Sequence, residues 1–222
     1  MSYFRPSSQA LGKRSPWSRG KRASSKYLGD TSLPDNSGDH VPPSKNVNLW
    51  IVNIPSGITH HEFLGFIRNV GKVRSLVLHP ATGIHRNSAA ALSFFRRASA
   101  QKFLDDCVFG KVTMRGMKLH AIWNRHRVAE PEDSTVSRVL VIEGEVRFAN
   151  RLYLDEFLSS RIAYDIDEIV EERRQPHDDA TKGRIEYRFA SWRGQAVLAL
   201  IALRKEHRHH VLTVEYGKDP CE

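Results

Sequence analysis

The sequence predicts an α+β protein of two successive domains that share the element order β-α-β-β-α-β. Short apolar stretches with period-two alternation predict the strands, and apolar residues spaced i, i+3, i+4 and i+7 predict the helices. The same order of elements occurs twice, with first strands that begin at Leu49 and Leu140, 91 residues apart. A recurrence of this kind indicates a divergent duplication of one domain.

The first predicted strand, residues 49–54, organises the first domain. Its sequence, Leu-Trp-Ile-Val-Asn-Ile, is apolar and β-branched, and a Pro-Ser-Gly turn follows it. Because side chains alternate along a strand, Leu49 and Ile51 face one side while Trp50 and Val52 face the other. Both sides are apolar, so the strand is expected at the centre of a sheet. We expect helices on one face and a functional surface on the face that carries Trp50.

The helices of the first domain follow from caps and apolar stripes. Thr59 with Glu62 three residues later forms a capping box, which predicts a helix start. The two stripes are Phe63, Phe66, Ile67 and Val70, then Ala100, Phe103, Leu104 and Cys107. Further strands are predicted at residues 73–78, 88–95 and 117–123. Trp123 alternates to the helix side of the last strand and is expected in the core.

The second domain follows a polar linker, residues 128–136, and repeats the pattern less regularly. Its strands are predicted at residues 139–142, 166–170, 184–189 and 211–216, with a polar loop at 175–182. Its helical stripes are Leu154, Phe157, Leu158 and Ile162, then Ala196, Ala199, Leu200 and Leu203. Trp192 opens the last helix as a packing residue. The two domains are therefore expected at residues 47–127 and 137–222.

Charge is distributed unevenly along the chain. The net charge of +9 divides into +5 for residues 1–47, +9 for 48–128 and −5 for 129–222, which favours different partners for the two domains. No apolar run reaches the ~18–20 residues that span a bilayer, and no signal-peptide pattern opens the chain, so we expect no membrane partner. Cys107 and Cys221 cannot form a disulfide framework and indicate a reducing compartment, the nucleus or the cytoplasm.

The predicted order of elements implies an open sheet face. Right-handed crossovers place both helices of a domain on one face of a four-stranded antiparallel sheet, the ferredoxin-like arrangement. Residues 49–54 resemble the first-strand hexamer of RNA recognition motifs (RRMs), and residues 87–94 lie where the RRM third-strand octamer belongs. The closing residues 214–221 resemble the tail of RRM proteins of filamentous fungi.

The resemblance implies RNA binding on the open face, with Trp50 at a base-stacking position. The octamer departs from the family pattern, since Ala89 and Ala91 replace two stacking aromatic residues, each worth ~1–3 kcal/mol per base. Period two places Val77 outward as well. The predicted site consists of Trp50, Val52, His79, Arg86, Lys118, His120, Ile122, Asn124, Arg125 and Arg127, and His126 lies at its edge. The basic members are expected to meet phosphates.

The second domain departs further from the family pattern. Val141 occupies the stacking position of its hexamer, and Glu143 and Glu145 add negative charge. Arg184 and Glu186 stand where the octamer aromatics belong. An acidic face repels phosphate, so this domain is interpreted as RRM-folded but mainly a protein-contact module.

Residues 1–46 are predicted to be a disordered basic arm, because their polar composition buries too little apolar surface to offset ordering entropy. Three interpretations of the basic segment 13–22 stay open: a solvated tail, an arm that contacts RNA, and a nuclear targeting signal. Ser15, before Pro16, is a candidate phosphorylation site that would lower the local charge.

No motif in the sequence indicates catalysis, a cofactor or a metal. The histidines at 60, 61, 207, 209 and 210 come without a Cys-x-x-Cys pair and are interpreted as solvated turn residues. Asp165 and Asp167, with Asp178 and Asp179, are interpreted as solvated charged faces, because no nucleophile–base motif or phosphate loop accompanies them.

The favoured function is non-catalytic binding of single-stranded RNA, such as mRNA, over the first sheet. The alternative is a protein-interaction adaptor within a ribonucleoprotein, with both domains degenerate. A third hypothesis packs the two domains face to face and masks Trp50.

Overall fold

A computed structural model of the chain describes residues 38–172, 181–207 and 211–222. Several predictions lie outside these residues: the basic segment 13–22 with Ser15, most of the polar loop at 175–182 with Asp178 and Asp179, and His209 and His210.

The first domain forms the predicted sheet with two helices on one face. Its elements are β1 (Asn48–Ile54), α1 (His60–Phe66), β2 (Val73–His79), β3 (Ser88–Phe94), α2 (Arg97–Val108), β4 (Thr113–Met114), β5 (Met117–Lys118) and β6 (His120–Trp123). The antiparallel sheet has the order β2-β3-β1-β6. The predicted last strand is divided, because its first two residues form β5, which pairs with β4 in a hairpin whose turn has positive φ at Arg115 and Gly116.

The capping box and the inward strand positions account for this packing. The Thr59 side chain accepts a hydrogen bond from the Glu62 amide at 3.1 Å and starts α1. Phe63 and Phe103, from the two helices, pack with the inward residues Leu49 and Ile51 of β1 in one core. Trp123 contacts this core only partly, and the Arg97 guanidinium lies 3.4 Å from its ring centroid.

The second domain repeats the plan. Its elements are β7 (Val139–Glu145), α3 (Arg151–Ser159), β8 (Ile166–Glu171), β9 (Lys182–Phe189), a π-helical turn (Trp192–Ala196), α4 (Val197–Glu206) and β10 (Leu212–Tyr216). The sheet order is β10-β7-β9-β8, again antiparallel throughout. Leu154 and Leu203 of the helices pack with Leu140 and Tyr187 of the sheet. The predicted class, two tandem ferredoxin-like domains, is confirmed.

The two domains meet along the β2 edge and α1, away from the open face of the first sheet. The Leu76 amide donates to the Ala190 carbonyl at 2.8 Å, and Ser75 forms a β-bridge with Ser191. Trp192 lies 5.4 Å from the Phe95 ring, centroid to centroid, so it packs between the domains. The face-to-face arrangement that would mask Trp50 is therefore not the one observed.

Residues 217–222, here called the C-terminal clasp, connect the second domain back to the first. Cys221 is fully buried in the core of the first domain, and its carbonyl accepts from the Gly71 amide at 2.8 Å. The predicted second domain ended at residue 222; the clasp instead packs on the first domain. Apolar periodicity could not show this, because the contact joins residues far apart in sequence.

A buried ionic network lies under the clasp. The Arg138 guanidinium, 0 % exposed, donates to both carboxylate oxygens of Asp219 at 3.0 and 2.8 Å and to Asp167 at 2.9 Å. It also donates to the Phe189 carbonyl at 2.9 Å. Asp219 accepts from the Val73 amide at 2.9 Å, so the network ties both domains to the clasp.

This network corrects two predictions. Asp167 is not on a solvated face, since it is 5 % exposed and paired with Arg138. His61 is exposed as expected, but it lies in α1 rather than in a turn, and its Nδ1 lies 3.2 Å from Asp167, across the domain boundary. Burial lowers the pKa of His60 from its usual value, although Asp165 and Asp167 act in the opposite direction.

The end of the predicted arm is ordered. Val41 is buried, its carbonyl accepts from Arg127 at 2.7 Å, and a short 3₁₀ turn spans Pro43–Lys45. The Asn46 side chain accepts from the Val128 amide at 3.1 Å. Residues 38–46 therefore pack on the first domain, in contrast to the predicted disorder up to residue 46.

Candidate nucleic-acid interface

The strand register aligns the outward side chains of the first sheet in rows. The central row is Val77, Ala91, Trp50 and Ile122, one residue from each of β2, β3, β1 and β6. Val77 is 48 % exposed and Ile122 62 % exposed, while Trp50 is half-buried between them. An indole stands in the middle of an apolar row that faces solvent.

A second row lies beside the central one, toward the β2–β3 loop. His79 pairs with Ala89 and Val52 pairs with His120. The His79 ring lies 5.0 Å from the Trp50 ring, centroid to centroid, with a tilt of 53°. His79 therefore supports one side of the indole, while the alanines leave the neighbouring space unfilled.

The third row is covered by the chain that leaves β6. Asn48 and Ser93 pair in this row and are 5 % and 2 % exposed. The Asn48 side-chain amide donates to the His126 carbonyl at 2.9 Å, and Asn124 Oδ1 accepts from the His126 amide at 3.0 Å. The predicted site residue Asn124 is thus used to fix the linker, and two rows stay open.

The first domain combines three features: this strand order, two helices on one face of the sheet, and an aromatic residue on the central strand. The second domain has the same strand order. Both domains are RRM-like. No known family model matches the chain, and no curated protein matches it.

Several solved structures are similar to this RRM-like tandem, with low TM-scores and low sequence identity. The two RNA recognition domains of Sex-lethal from Drosophila melanogaster are 20 % identical, with 78 % of this chain and 100 % of that chain covered and a TM-score of 0.30. The first two RRM domains of the yeast poly(U) binding protein are 11 % identical, with 77 % and 99 % covered and a TM-score of 0.32. The first three RNA binding domains of the yeast splicing factor Prp24 are 15 % identical, with 80 % and 69 % covered and a TM-score of 0.30.

The predicted phosphate contacts differ in where their charges lie. Arg86 and Arg125 are exposed, and Arg86 lines a depression next to Trp50. Arg127 is half-buried, and its guanidinium is bonded to the Val41 carbonyl. The Lys118 ammonium lies beside Gly110, at the end of α2, 3.6 Å from where a Cβ on that glycine would stand. Arg86 and Arg125 are thus the best placed of these four.

The sequence did not reveal a pair of side-chain hydrogen bonds that fixes the end of β1. Asn53 has a φ of +65°, its side-chain amide donates to the Lys118 carbonyl at 2.8 Å, and its Oδ1 accepts from Asn87 at 2.6 Å. Asparagine tolerates this left-handed conformation better than most residues. The signal was an asparagine inside an otherwise apolar strand, just before Ile54.

The sheet face of the second RRM-like domain carries paired charges. Arg184 lies 2.6 Å from Glu143 and 3.6 Å from Glu172, and Arg188 is paired with Glu168 and Glu186. Arg184, which stands where an octamer aromatic belongs, is thus already neutralised. On the described part of this face, Val141 stands at the stacking position and both Arg184 and Arg188 are paired with acids, an arrangement that disfavours RNA.

Two further observations concern the described ranges only. Among residues 38–172, 181–207 and 211–222, no three histidine, cysteine or acidic residues come together as a metal site. In the same ranges, no helix combines the length and apolarity that crossing a bilayer requires.

Proposed function

We propose that this chain binds single-stranded RNA over the two open rows of the first sheet, with Trp50 as the stacking platform. The observation that carries this proposal is the half-buried indole at the centre of a solvent-facing sheet. Stacking on an aromatic ring is worth ~1–3 kcal/mol per base and needs only one open π-face.

The distribution of acidic residues supports this choice. The acidic residues within positions 48–128 are Glu62, in α1, and Asp105 and Asp106, in α2, so all three lie on the helices. Glu62 is paired with Arg115, and Asp106 lies 3.5 Å from Lys111. The two open rows carry no acidic side chain, so a phosphate backbone that crosses them meets no like charge.

The expected affinity is modest. One stacking platform and a few phosphate contacts are typical of non-specific nucleic-acid binding, for which Kd is on the order of 10⁻⁴–10⁻⁶ M at physiological salt. The second domain then serves mainly as a protein-contact module. We place the protein in the nucleus or the cytoplasm, where mRNA is present and thiols such as Cys107 stay reduced.

A second candidate is an adaptor that binds an apolar peptide on the same rows. The exposure of Val77, Ile122 and Val52, at 48 %, 62 % and 39 %, favours it. Added salt distinguishes the two: the affinity for RNA falls as the salt concentration rises, with a slope set by the number of phosphates neutralised, whereas an apolar contact persists.

The test is a titration of a fluorescent single-stranded RNA octamer with the full chain and with Trp50→Ala. We expect Trp50→Ala to weaken binding about 5- to 150-fold, the equivalent of ~1–3 kcal/mol. Phe109→Ala is the matched control, because Phe109 is an exposed aromatic residue just after α2, away from the sheet face. Equal affinities of wild type and Trp50→Ala, with unchanged melting temperatures, would refute the site.

A further inference from the structure

A depression beside Trp50 is large enough for a nucleotide. Its volume is about 660 Å³, within the ~300–1,000 Å³ that is usual for small-molecule sites. Trp50, His79 and Ala89 form the wall on the sheet, and Ile84, Arg86 and Asn87 form the wall on the β2–β3 loop. We call this space the loop pocket.

Hydrogen bonds within the loop hold its wall in place. The Thr82 amide donates to the His85 carbonyl at 2.8 Å, and the Ala81 amide donates to the Ser88 hydroxyl at 3.2 Å. The bond of 2.6 Å between Asn87 and Asn53 then ties the loop to the end of β1. The pocket is thus preformed, which lowers the ordering cost of binding.

The missing octamer aromatic creates this space. A ring at position 89 would stand in the second row beside His79, where Ala89 leaves only a methyl group. A base that cannot stack there has room to enter the space instead and to contact His79 and Ala89 directly. Ile84, 88 % exposed, lines the same space from the loop side.

The lining selects the chemistry of the occupant. It contains no acidic residue, one arginine and two histidines, His79 and His85, together with apolar surface from Val52 and Ile84. Apolar walls with a few polar groups suit a planar base, and Arg86 suits the attached phosphate.

We propose that the loop pocket binds a second unpaired nucleotide of the RNA, with its base inserted next to Ala89 rather than stacked on an aromatic ring. This inference rests on the proposed function, since the strand that lies on Trp50 also delivers the second base. The site would thus use one stacked base and one inserted base.

The test combines abasic substitutions in the RNA with variants of the pocket. For the wild-type chain, a scan of single abasic positions along a bound octamer should find two sensitive positions, each weakening binding about fivefold or more. Ala89→Leu fills the pocket and should abolish the sensitivity at one position only. Trp50→Ala should abolish it at the other position.

A second variant and a control complete the design. Ile84 lies on the exposed loop, so Ile84→Ser is expected to leave the fold intact. It should reduce the effect of an abasic substitution at the same RNA position as Ala89→Leu does. Val108 is exposed on α2, so Val108→Ala should change the sensitivity at neither abasic position. If Ala89→Leu and Ile84→Ser keep both sensitive positions, the loop pocket is wrong while Trp50 stacking stands. Absence of RNA binding by the wild-type chain would overturn both.

Discussion

Asp219→Ala is expected to release the C-terminal clasp and to destabilise the whole chain. The fully buried Asp219 carboxylate takes two hydrogen bonds from Arg138 and one each from the amides of Val73 and Cys221. Its removal leaves the Arg138 guanidinium with Asp167 as its remaining carboxylate partner. Breaking a buried ion pair from one side costs ~3–5 kcal/mol.

Thermal unfolding measures this cost. At ~2–4 °C per kcal/mol for a chain of this size, the melting temperature should fall by roughly 6–20 °C. Glu222→Ala is the matched control, because Glu222 is exposed in the same clasp, and such surface changes stay within about 0.5 kcal/mol.

The thiol of Cys221 reports clasp opening without unfolding. Burial raises its pKa to about 12, so the wild-type thiol should react slowly with a disulfide reagent at pH 8. In a Cys107→Ala background, Asp219→Ala should expose Cys221 and speed the reaction at least tenfold. A melting temperature within 2 °C of wild type, together with an unreactive Cys221, would refute the role assigned to the clasp.

Three other variants test separate parts of the structure. Burial lowers the pKa of His60, so the unfolded chain takes up a proton on this histidine at a higher pH than the folded chain does. The free energy of unfolding should therefore fall as the pH drops below about 6.5. Urea unfolding at pH 7 and pH 5 should show a smaller fall for His60→Gln than for the wild type. Asn53→Ala should cost ~1–2 kcal/mol more than Asn53→Gly, because alanine strains at a φ of +65°; equal urea midpoints would contradict this. Arg86→Ala should reduce the slope of log K against log salt concentration for RNA binding by about 1. Arg184→Ala should leave this slope unchanged, because Arg184 is already paired with Glu143.

Local patterns were sufficient to predict most elements of both domains, although β4 and the π-helical turn were missed. The alternation around Trp50 identified the central strand and its outward face, and the Thr59–Glu62 pair gave the helix start. Cys107 is buried in the helix core as expected, with 4 % exposure. These features depend on residues close in sequence, so period and capping chemistry determine them.

The contacts between distant segments could not be predicted in the same way. Arg138, Asp167 and Asp219 look like ordinary surface charges in the sequence, and only the docking of the two domains buries them together. The direction of the Lys118 side chain depends on the β4–β5 hairpin, whereas the sequence had predicted β5 and β6 as one strand. The covered row at Asn48 depends on the path of the linker.

The clasp also bears on how the chain should be studied. Because Cys221 belongs to the core of the first domain, residues 46–128 alone would lack part of that core. The full chain is the proper object for binding experiments.

The most direct test of the RNA-binding proposal is a chemical-shift titration of the isotope-labelled full chain with a single-stranded RNA octamer. The Trp50 indole N–H and the amides of Val77, Ala91 and Ile122 should shift together, while β7–β10 of the second domain stay unchanged. No shift at Trp50, or shifts centred on Glu143 and Arg184, would contradict it.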